Sequence, residues 1–500
     1  MANAVTIAEM LQAEHDAVAD GWTESRLLEA AGQALGTSIH HHFPKAGTAI
    51  AYLGKGHNAG DALVALKLLQ DKHGWKVGYR AGIPIEDCAP LVQKHAHALP
   101  AEALLDQSTQ AHEQGRPLVL LDGLLGTGSI GSPRAPLDGL VEEMAQLRNR
   151  FGAKVIAIDL PSGVDADTGE ISQGAVAADI TLMISNAKAG LLKSNCASHT
   201  GGLGIVPLEA LQRSGTSNLE LIAPQALELG QVPRPHESHK GSSGKVSLLV
   251  GSEAYPGAAA LAANGALRGG AGLVFVHVPH VIRETVRELS PPEVIVSGYE
   301  TIEDIPPDEA DARVMGCGLG TFNQESWEML KTWINASDAP TVIDADGLNA
   351  IVRYQGHGVL AEHHVITPHP GEFRRLAPDI ADLVREEAAA CFTECCLSTL
   401  LLKGSHSLVA KAGHSIRVNS TGHAGMASGG QGDLLAGVIG AQLAAGHSPF
   451  DAAALGAWIC GRAAEIPLLS DPPQSQETLT ASDCSKWLGQ AWQDWRNGTR

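Results

Sequence analysis

Glycines, one aspartate and a helix-forming run come together at Gly425–Gly440. The stretch reads Gly425-Met426-Ala427-Ser428-Gly429-Gly430-Gln431-Gly432-Asp433 and continues in small and apolar residues. A glycine cluster entering a helix offers free backbone N–H groups to an anion. Glycine also lets the main chain approach a phosphate closely. A carboxylate at the junction could take the proton of a hydroxyl being phosphorylated. The alternative is a plain glycine turn with Asp433 as a helix cap.

A second set of candidates lies in the N-terminal half. The apolar run Ala49–Leu53 opens into Gly54-Lys55-Gly56-His57-Asn58-Ala59-Gly60-Asp61-Ala62, with a helix expected from Leu63 to Gln70. Leu118–Leu121 ends in Asp122, ahead of Gly126-Thr127-Gly128-Ser129. Val155–Ile158 ends in Asp159-Leu160-Pro161-Ser162-Gly163. In α/β folds ligands sit at the carboxyl ends of strands. Asn58, Asp122, Asp159 and Ser162 are hard oxygen donors, able to hold a monovalent or divalent cation and to leave a carboxylate for acid–base work. Each alone could be a cap. The first loop is neither G-x-G-x-x-G nor a P-loop.

The C-terminal half repeats the strand–loop pattern. Val246–Val250 leads to Ala258, Val314-Met315 to Gly316-Cys317-Gly318-Leu319-Gly320, and Thr341–Ile343 to Asp344-Ala345-Asp346-Gly347-Leu348-Asn349. Thr367-Pro368-His369-Pro370-Gly371-Glu372 and Leu400-Leu401-Leu402-Lys403-Gly404-Ser405 follow. Singly, Asp344 and Asp346 could cap a turn, His369 could be structural and Lys403 solvated. Jointly, loops ending at Gly320, Asp346, His369 and Lys403 precede the anion-hole helix.

These motifs carry two resemblances. The loops at 54–62, 122–129 and 159–169, with Lys188-Ala189-Gly190-Leu191, resemble the NAD(P)H-hydrate epimerase family over roughly 7–210. By that resemblance Asn58, Asp122 and Ser162 hold potassium and Asp159 is the acid/base. The hydrate then meets His57, Asn58, Ala59, Gly60, Asp61, Gly126, Thr127, Gly128 and Ser129. His57 stands where the family has a first Asn, and Ala59 and Ala62 replace glycines, each adding a Cβ where positive φ could be needed. Residues 223–500 resemble the ribokinase-like superfamily and, within it, the ADP- or ATP-dependent NAD(P)H-hydrate dehydratases. His239-Lys240-Gly241 and Leu402-Lys403-Gly404 add to the match. The resemblance makes Asp433 the base and gives Ala258, Gly320 and His369 to the hydrate. Lys403, Gly404, Ser405, His406, Ser407, Gly429, Gly430 and Gly432 go to the nucleotide, with Mg2+ alongside ADP or ATP. Gln431 stands where the family often has Thr. The implied function is repair of NADH hydrate and NADPH hydrate, by interconverting R and S epimers and dehydrating the S form. The rival is a vitamin or sugar kinase with a fused non-catalytic domain; Thr-Pro-His-Pro-Gly-Glu speaks against it.

The elements that must position these residues are α/β throughout. At 500 residues the chain divides naturally into domains: an expected Rossmann-like three-layer domain at 1–212, a linker at 213–222 and a ribokinase-like α/β/α domain at 223–500. Residues 6–39 read as helical, with His40-His41-His42 as a solvated helix end. Apolar residues at 44% with only 4% aromatics favour close helix–sheet packing. The net charge of −20 argues against general nucleic-acid and anionic-membrane binding. No run approaches the about 18 apolar residues of a membrane span, and Met1–Glu14 lacks a secretory pattern. The eight cysteines form no paired C-x-x-C set, so a reduced cytoplasmic setting is expected. Cys391, Cys395 and Cys396 read as a buried small face of one helix. Alanine-rich helical faces suggest a homo-oligomer.

Overall fold

The computed structural model describes residues 3–99, 115–129, 131–227, 229–230, 234–305, 309–321, 323–470 and 473–498. It forms two compact units, Met1–Leu227 with Gly498–Arg500, and Glu228–Asn497. Both are α/β, the expected class.

The first unit is built on β1 (Thr48–Leu53), β2 (Lys76–Ala81), β3 (Leu118–Gly123), β4 (Lys154–Ile158), β5 (Ile180–Ile184) and β6 (Gly202–Val206). Their order is β2-β1-β3-β4-β5-β6, and every pairing is parallel. β1 is buried along its whole length, as a parallel strand covered on both faces must be. Ile50 and Tyr52 of β1 join Met144 and Leu147 of the helix Leu137–Phe151 in one core. The intervening residues point to the other face. The helices Glu24–His42 and His57–His73 pack closely because Gly32 and Gly36 carry no side chain. A Cβ on Gly32 would lie 2.4 Å from Val64 Cβ, and one on Gly36 2.9 Å from the Ala65 carbonyl. From β1 the chain runs outward to β2 and then returns to β3 on the other side of β1. The carboxyl ends of β1 and β3 are therefore the topological switch point where α/β sheets bind ligands.

Four expectations change here. The helix begins at His57, not Leu63; Ala59 and Ala62 are buried helical residues, so neither position needs positive φ. His42 is buried and His40 stacks on His73 at 3.8 Å, so this helix end is only partly solvated. Residues 213–222 are not a free linker. They contain the short strand β7 (Leu219–Leu221), and Ala4 N donates to Leu219 O at 2.8 Å while Gly215 N donates to Asn3 O at 3.0 Å. These bonds tie the segment to the start of the chain.

The second unit contains β8 (Lys245–Leu249), β9 (Leu273–Pro279), β10 (Ile295–Tyr299), β11 (Ala312–Met315), β12 (Thr341–Ile343), β13 (Val365–Ile366), β14 (Thr399–Leu402), β15 (Ser407–Ala410) and β16 (Ile416–Asn419). They lie in the order β10-β9-β8-β11-β12-β13-β14-β15-β16, parallel up to β14 and antiparallel beyond it. The switch point falls between β8 and β11.

Small residues set the helix packing in this unit. A Cβ on Gly265 would lie 2.2 Å from Leu434 O, and one on Gly437 2.0 Å from Ala262 O. The helices Pro256–Gly269 and Gln431–Ala444 thus touch backbone to backbone. Ala259, Ala262, Ala263 and Ala266 are fully buried in this contact and around it. These alanine faces are used inside the unit. The helix Pro449–Leu469 is long and apolar enough by length and composition to cross a membrane, although Asp451, Arg462 and Glu465 interrupt its apolar run. It is 83% buried over its most apolar window, as a core helix is. The helix Arg385–Cys395 leaves Cys395 exposed and Cys391 half-buried, so the expected buried cysteine face does not form.

Candidate active sites

In the first unit a cleft of about 1430 Å³ opens over the switch point. His57, Asn58, Asp61, Gly126, Thr127, Gly128, Ser129 and Asp159 all line it, so the sequence-predicted loops converge. Gly54 makes the turn possible, since a Cβ there would lie 1.8 Å from Leu124 O. Ala59 and Gly60 face the protein interior instead; a Cβ on Gly60 would meet Leu28 Cδ1 at 2.5 Å.

The expected cation donors Asn58, Asp122 and Ser162 come together at the ends of β3 and β4, with Asn58 lining the cleft. Asp122 and Ser162 are fully buried. Ser162 Oγ donates to Asp122 Oδ1 at 2.6 Å, Ser162 N donates to Oδ2 at 2.7 Å, and Leu125 N donates to Ser162 Oγ at 2.9 Å. Asn58 Nδ2 donates to the carbonyls of Leu125 at 2.9 Å and Ile158 at 2.7 Å. Burial pushes the Asp122 carboxyl up to about 6 against its hydrogen bonds from Ser162 and Leu124. One carboxylate among neutral oxygens fits a weakly held monovalent cation. Among the described residues no group of three or more His, Cys, Asp or Glu could hold a metal.

Asp159 sits at the end of β4 with φ +67, a left-handed conformation rare for a side-chain-bearing residue. Its Oδ1 accepts from Ile184 N at 2.8 Å and is ion-paired with Lys188, which is fully buried and also donates to Ile184 O at 2.9 Å. Asp61 is 6% exposed. Burial, Asp159 and Glu14 push its carboxyl well above the usual range, with Lys188 opposing. Glu14, on the helix Ile7–Ala19, is raised by desolvation and by Asp159. His57 Nε2 contacts the Glu24 carboxylate, and both residues line the cleft. Glu14 escaped the sequence reading because its helix looks merely amphipathic, and Lys188 was read only as part of a turn motif.

In the second unit the helix Gln431–Ala444 begins at Gly430, whose φ of +91 no side chain adopts easily. The start carries no side-chain cap, so Asp433 is not the cap of the alternative reading. The first helical bond is Leu434 N to Gly430 O at 3.1 Å. The N–H groups of Gln431, Gly432 and Asp433 have no protein acceptor among the described residues.

A charged cluster lies against this helix start. Lys403 Nζ is 2.9 Å from Asp344 Oδ1 and 4.0 Å from Glu372 Oε2. Burial pulls the Lys403 ammonium down, but Asp344, Glu372 and Cys317 hold it above its ordinary value. Desolvation and the nearby Asp344 push Asp433 up to about 7, against a hydrogen bond from Cys317 and the charge of Lys403. A base near neutrality is what proton transfer at neutral pH requires. Asp346 faces elsewhere: its Oδ2 accepts from Gly320 N at 2.8 Å. Between the two aspartates, Ala345 is held at φ +46.

The other expected residues divide. Gly318 meets Ala258 closely, since a Cβ on it would lie 2.7 Å from Ala258 Cβ, and Gly320 stands at φ +77 in the same turn. His369 caps the helix Pro370–Leu376, its Nδ1 accepting from Gly371 N at 3.0 Å, and its side chain is 52% exposed. Gly404 and Ser407 close a turn, Ser407 Oγ donating to Gly404 O at 3.0 Å. His406 is 2% exposed, so its side chain points inward. Arg385, absent from the sequence reading, braces the loop by donating to the carbonyls of Leu402, Lys403 and His406. Gln431 turns from the cradle toward Cys484 on the helix Ala481–Arg496, at 3.5 Å. Its Oε1 is buried without a partner.

Comparison with known proteins follows the same division. A family model described as NAD(P)H-hydrate dehydratase matches residues 246–482, and one described as YjeF-related protein N-terminus matches 24–190. The bifunctional NAD(P)H-hydrate repair enzyme Nnr of Gloeobacter violaceus is 33% identical, over 92% of this chain and 94% of its own. That of Coxiella burnetii is 31% identical over 91% and 93%. Among solved structures, the ADP/ATP-dependent NAD(P)H-hydrate dehydratase of Bacillus subtilis, co-crystallized with ATP/Mg2+, is 29% identical. It covers 54% of this chain and 96% of its own, at a TM-score of 0.46.

Proposed function

The chain belongs to the bifunctional NAD(P)H-hydrate repair enzymes, and from that premise we propose how its residues divide the work. The first unit interconverts the R and S hydrates of NADH and NADPH. The second dehydrates the S form at the expense of ADP or ATP. The observation that carries the reading is Asp433, raised to about 7 at an uncapped helix start beside Lys403 and Asp344.

In the second unit Asp433 takes the proton of the hydrate's hydroxyl as its oxygen attacks the terminal phosphorus of the nucleotide. The unbonded N–H groups at Gln431–Asp433 hold the developing charge. The phosphorylated oxygen leaves as phosphate, the neighbouring carbon loses a proton and the double bond re-forms. Ala258, Gly320 and His369 bound the hydrate; Lys403, Gly404, Ser405 and Ser407 with Gly429, Gly430 and Gly432 meet the nucleotide. Magnesium is expected to arrive on the nucleotide's phosphates. In the first unit Asp159 moves the proton, and Asn58, Asp122 and Ser162 would hold a potassium ion, which would order the loops. Assembly as a homo-oligomer and a cytoplasmic location complete the reading.

The test is to incubate the full chain with hydrated NADH, ADP and Mg2+ and follow NADH absorbance. Recovery is expected in wild type and not in Asp433→Asn. No recovery in wild type would overturn the dehydratase reading and revive the kinase one.

A further inference from the structure

The first unit places one buried cation, Lys188, among the three carboxylates Glu14, Asp61 and Asp159, all of which line the cleft. Lys188 itself does not line the cleft and has no exposed surface. Its ammonium is committed to two acceptors, the Asp159 carboxylate and the Ile184 carbonyl at 2.9 Å. Asp159 Oδ1 is thereby occupied twice, by Lys188 and by Ile184 N at 2.8 Å. With Oδ1 tied down, Oδ2 is the oxygen left to work in the cleft.

The lysine is held from behind by the start of the chain. Val5 N donates to Ala187 O at 2.8 Å and Ala189 N donates to Val5 O at 2.9 Å, so Val5 bridges to Lys188 in parallel register. Val5 is fully buried. A buried lysine, clamped by main-chain bonds and aimed at a carboxylate held in a left-handed conformation, is an arrangement with one available orientation.

We infer that Lys188 is the positioning residue of the epimerase site, holding the Asp159 carboxyl group turned so that one of its oxygens faces the substrate. The inference rests on the reading of this unit as an epimerase. Lys188 touches no substrate. It acts by fixing a carboxylate that would otherwise rotate. A removed ammonium leaves a buried charge without its partner and a base no longer held in reacting geometry.

The test uses the full chain and the separated R hydrate of NADH, with inversion followed by NMR against the spontaneous rate. Lys188→Ala is expected to lower kcat about 10²-fold or more and to leave KM within a few-fold. Methylammonium is expected to restore part of that loss, whereas tetramethylammonium, too large for the vacated space, is not. Lys188→Arg keeps the charge and is expected to exceed Lys188→Met in kcat. It decides the matter if the alanine variant proves unfolded by circular dichroism. Equal loss in the arginine and methionine variants, or a loss in a folded alanine variant confined to KM or indifferent to methylammonium, would overturn the inference. A wild-type chain that does not invert the hydrate at all would instead overturn the epimerase reading.

Discussion

The ammonium of Lys403 lies 2.9 Å from Oδ1 of Asp344, directly against the first turn of the helix that carries Asp433. A Cβ on Gly432 would stand 3.3 Å from Asp344 Oδ2 and 3.4 Å from Lys403 Nζ. The ion pair and the N–H cradle are therefore one structure, and changes to either should be felt in both.

Gly432→Ala separates stability from function. In a helix the added methyl is worth about 1 kcal/mol in propensity, which offsets its tight contacts. In the cradle the methyl intrudes where a phosphate would approach. The expected outcome is an unfolding midpoint close to wild type with ADP affinity reduced tenfold or more, read by chemical denaturation and calorimetric titration.

Lys403→Met leaves Asp344 buried and unpaired, a loss on the order of 3 kcal/mol. It also withdraws a cation that lowers Asp433, so the base should titrate higher. The expected outcome is an earlier denaturation transition of the second unit and an acid limb of the dehydratase pH profile displaced upward.

The pH dependence of dehydration follows from Asp433 at about 7. The proposed base works unprotonated, so kcat/KM is expected to fall about tenfold per pH unit well below that value and to level off above it. A profile flat from pH 5 to about 8 would exclude Asp433 as the base.

The same shift predicts a stability effect of opposite sense. A carboxyl raised from 3.8 to about 7 binds its proton more tightly folded than unfolded, so its contribution declines as pH rises through that window. Asp433→Asn, expected to lose the dehydratase rate, should melt about 2–4 °C above wild type at pH 8. The difference should shrink as the pH is lowered toward 4, which differential scanning calorimetry would register.

Ala345→Gly tests the strain between the two aspartates. Ala345 stands at φ +46, where glycine is at ease, and relief of about 1 kcal/mol is expected, reduced by the added freedom of the unfolded chain. A lower dehydratase rate alongside a higher midpoint would mean that the strain holds Asp344 and Asp346 in working positions.

Much of this protein is legible in its residues. Apolar runs ending in Gly, Asn and Asp mark strands and their ligand loops without reference to any distant contact, because strand burial and turn chemistry are local properties. Asp159, Asp433, Asn58 and Lys403 stand out for that reason. Partnership is not local. That Lys188 serves Asp159 and that Glu14 faces Asp61 in the first unit, and that Arg385 braces the loop at 402–406 in the second, depend on separate elements meeting in the fold. Segment 213–222 has the composition of a linker, yet main-chain bonds to residues at the start of the chain make it part of the first unit. What the small faces of Pro256–Gly269 and Gln431–Ala444 pack against is likewise settled only where Gly265 and Gly437 admit a neighbouring helix backbone. Residue types and their spacing establish which groups are available for the chemistry; only the fold sets their partners and burial, and hence that Asp433 is raised toward neutrality while Asp159 is held against a lysine.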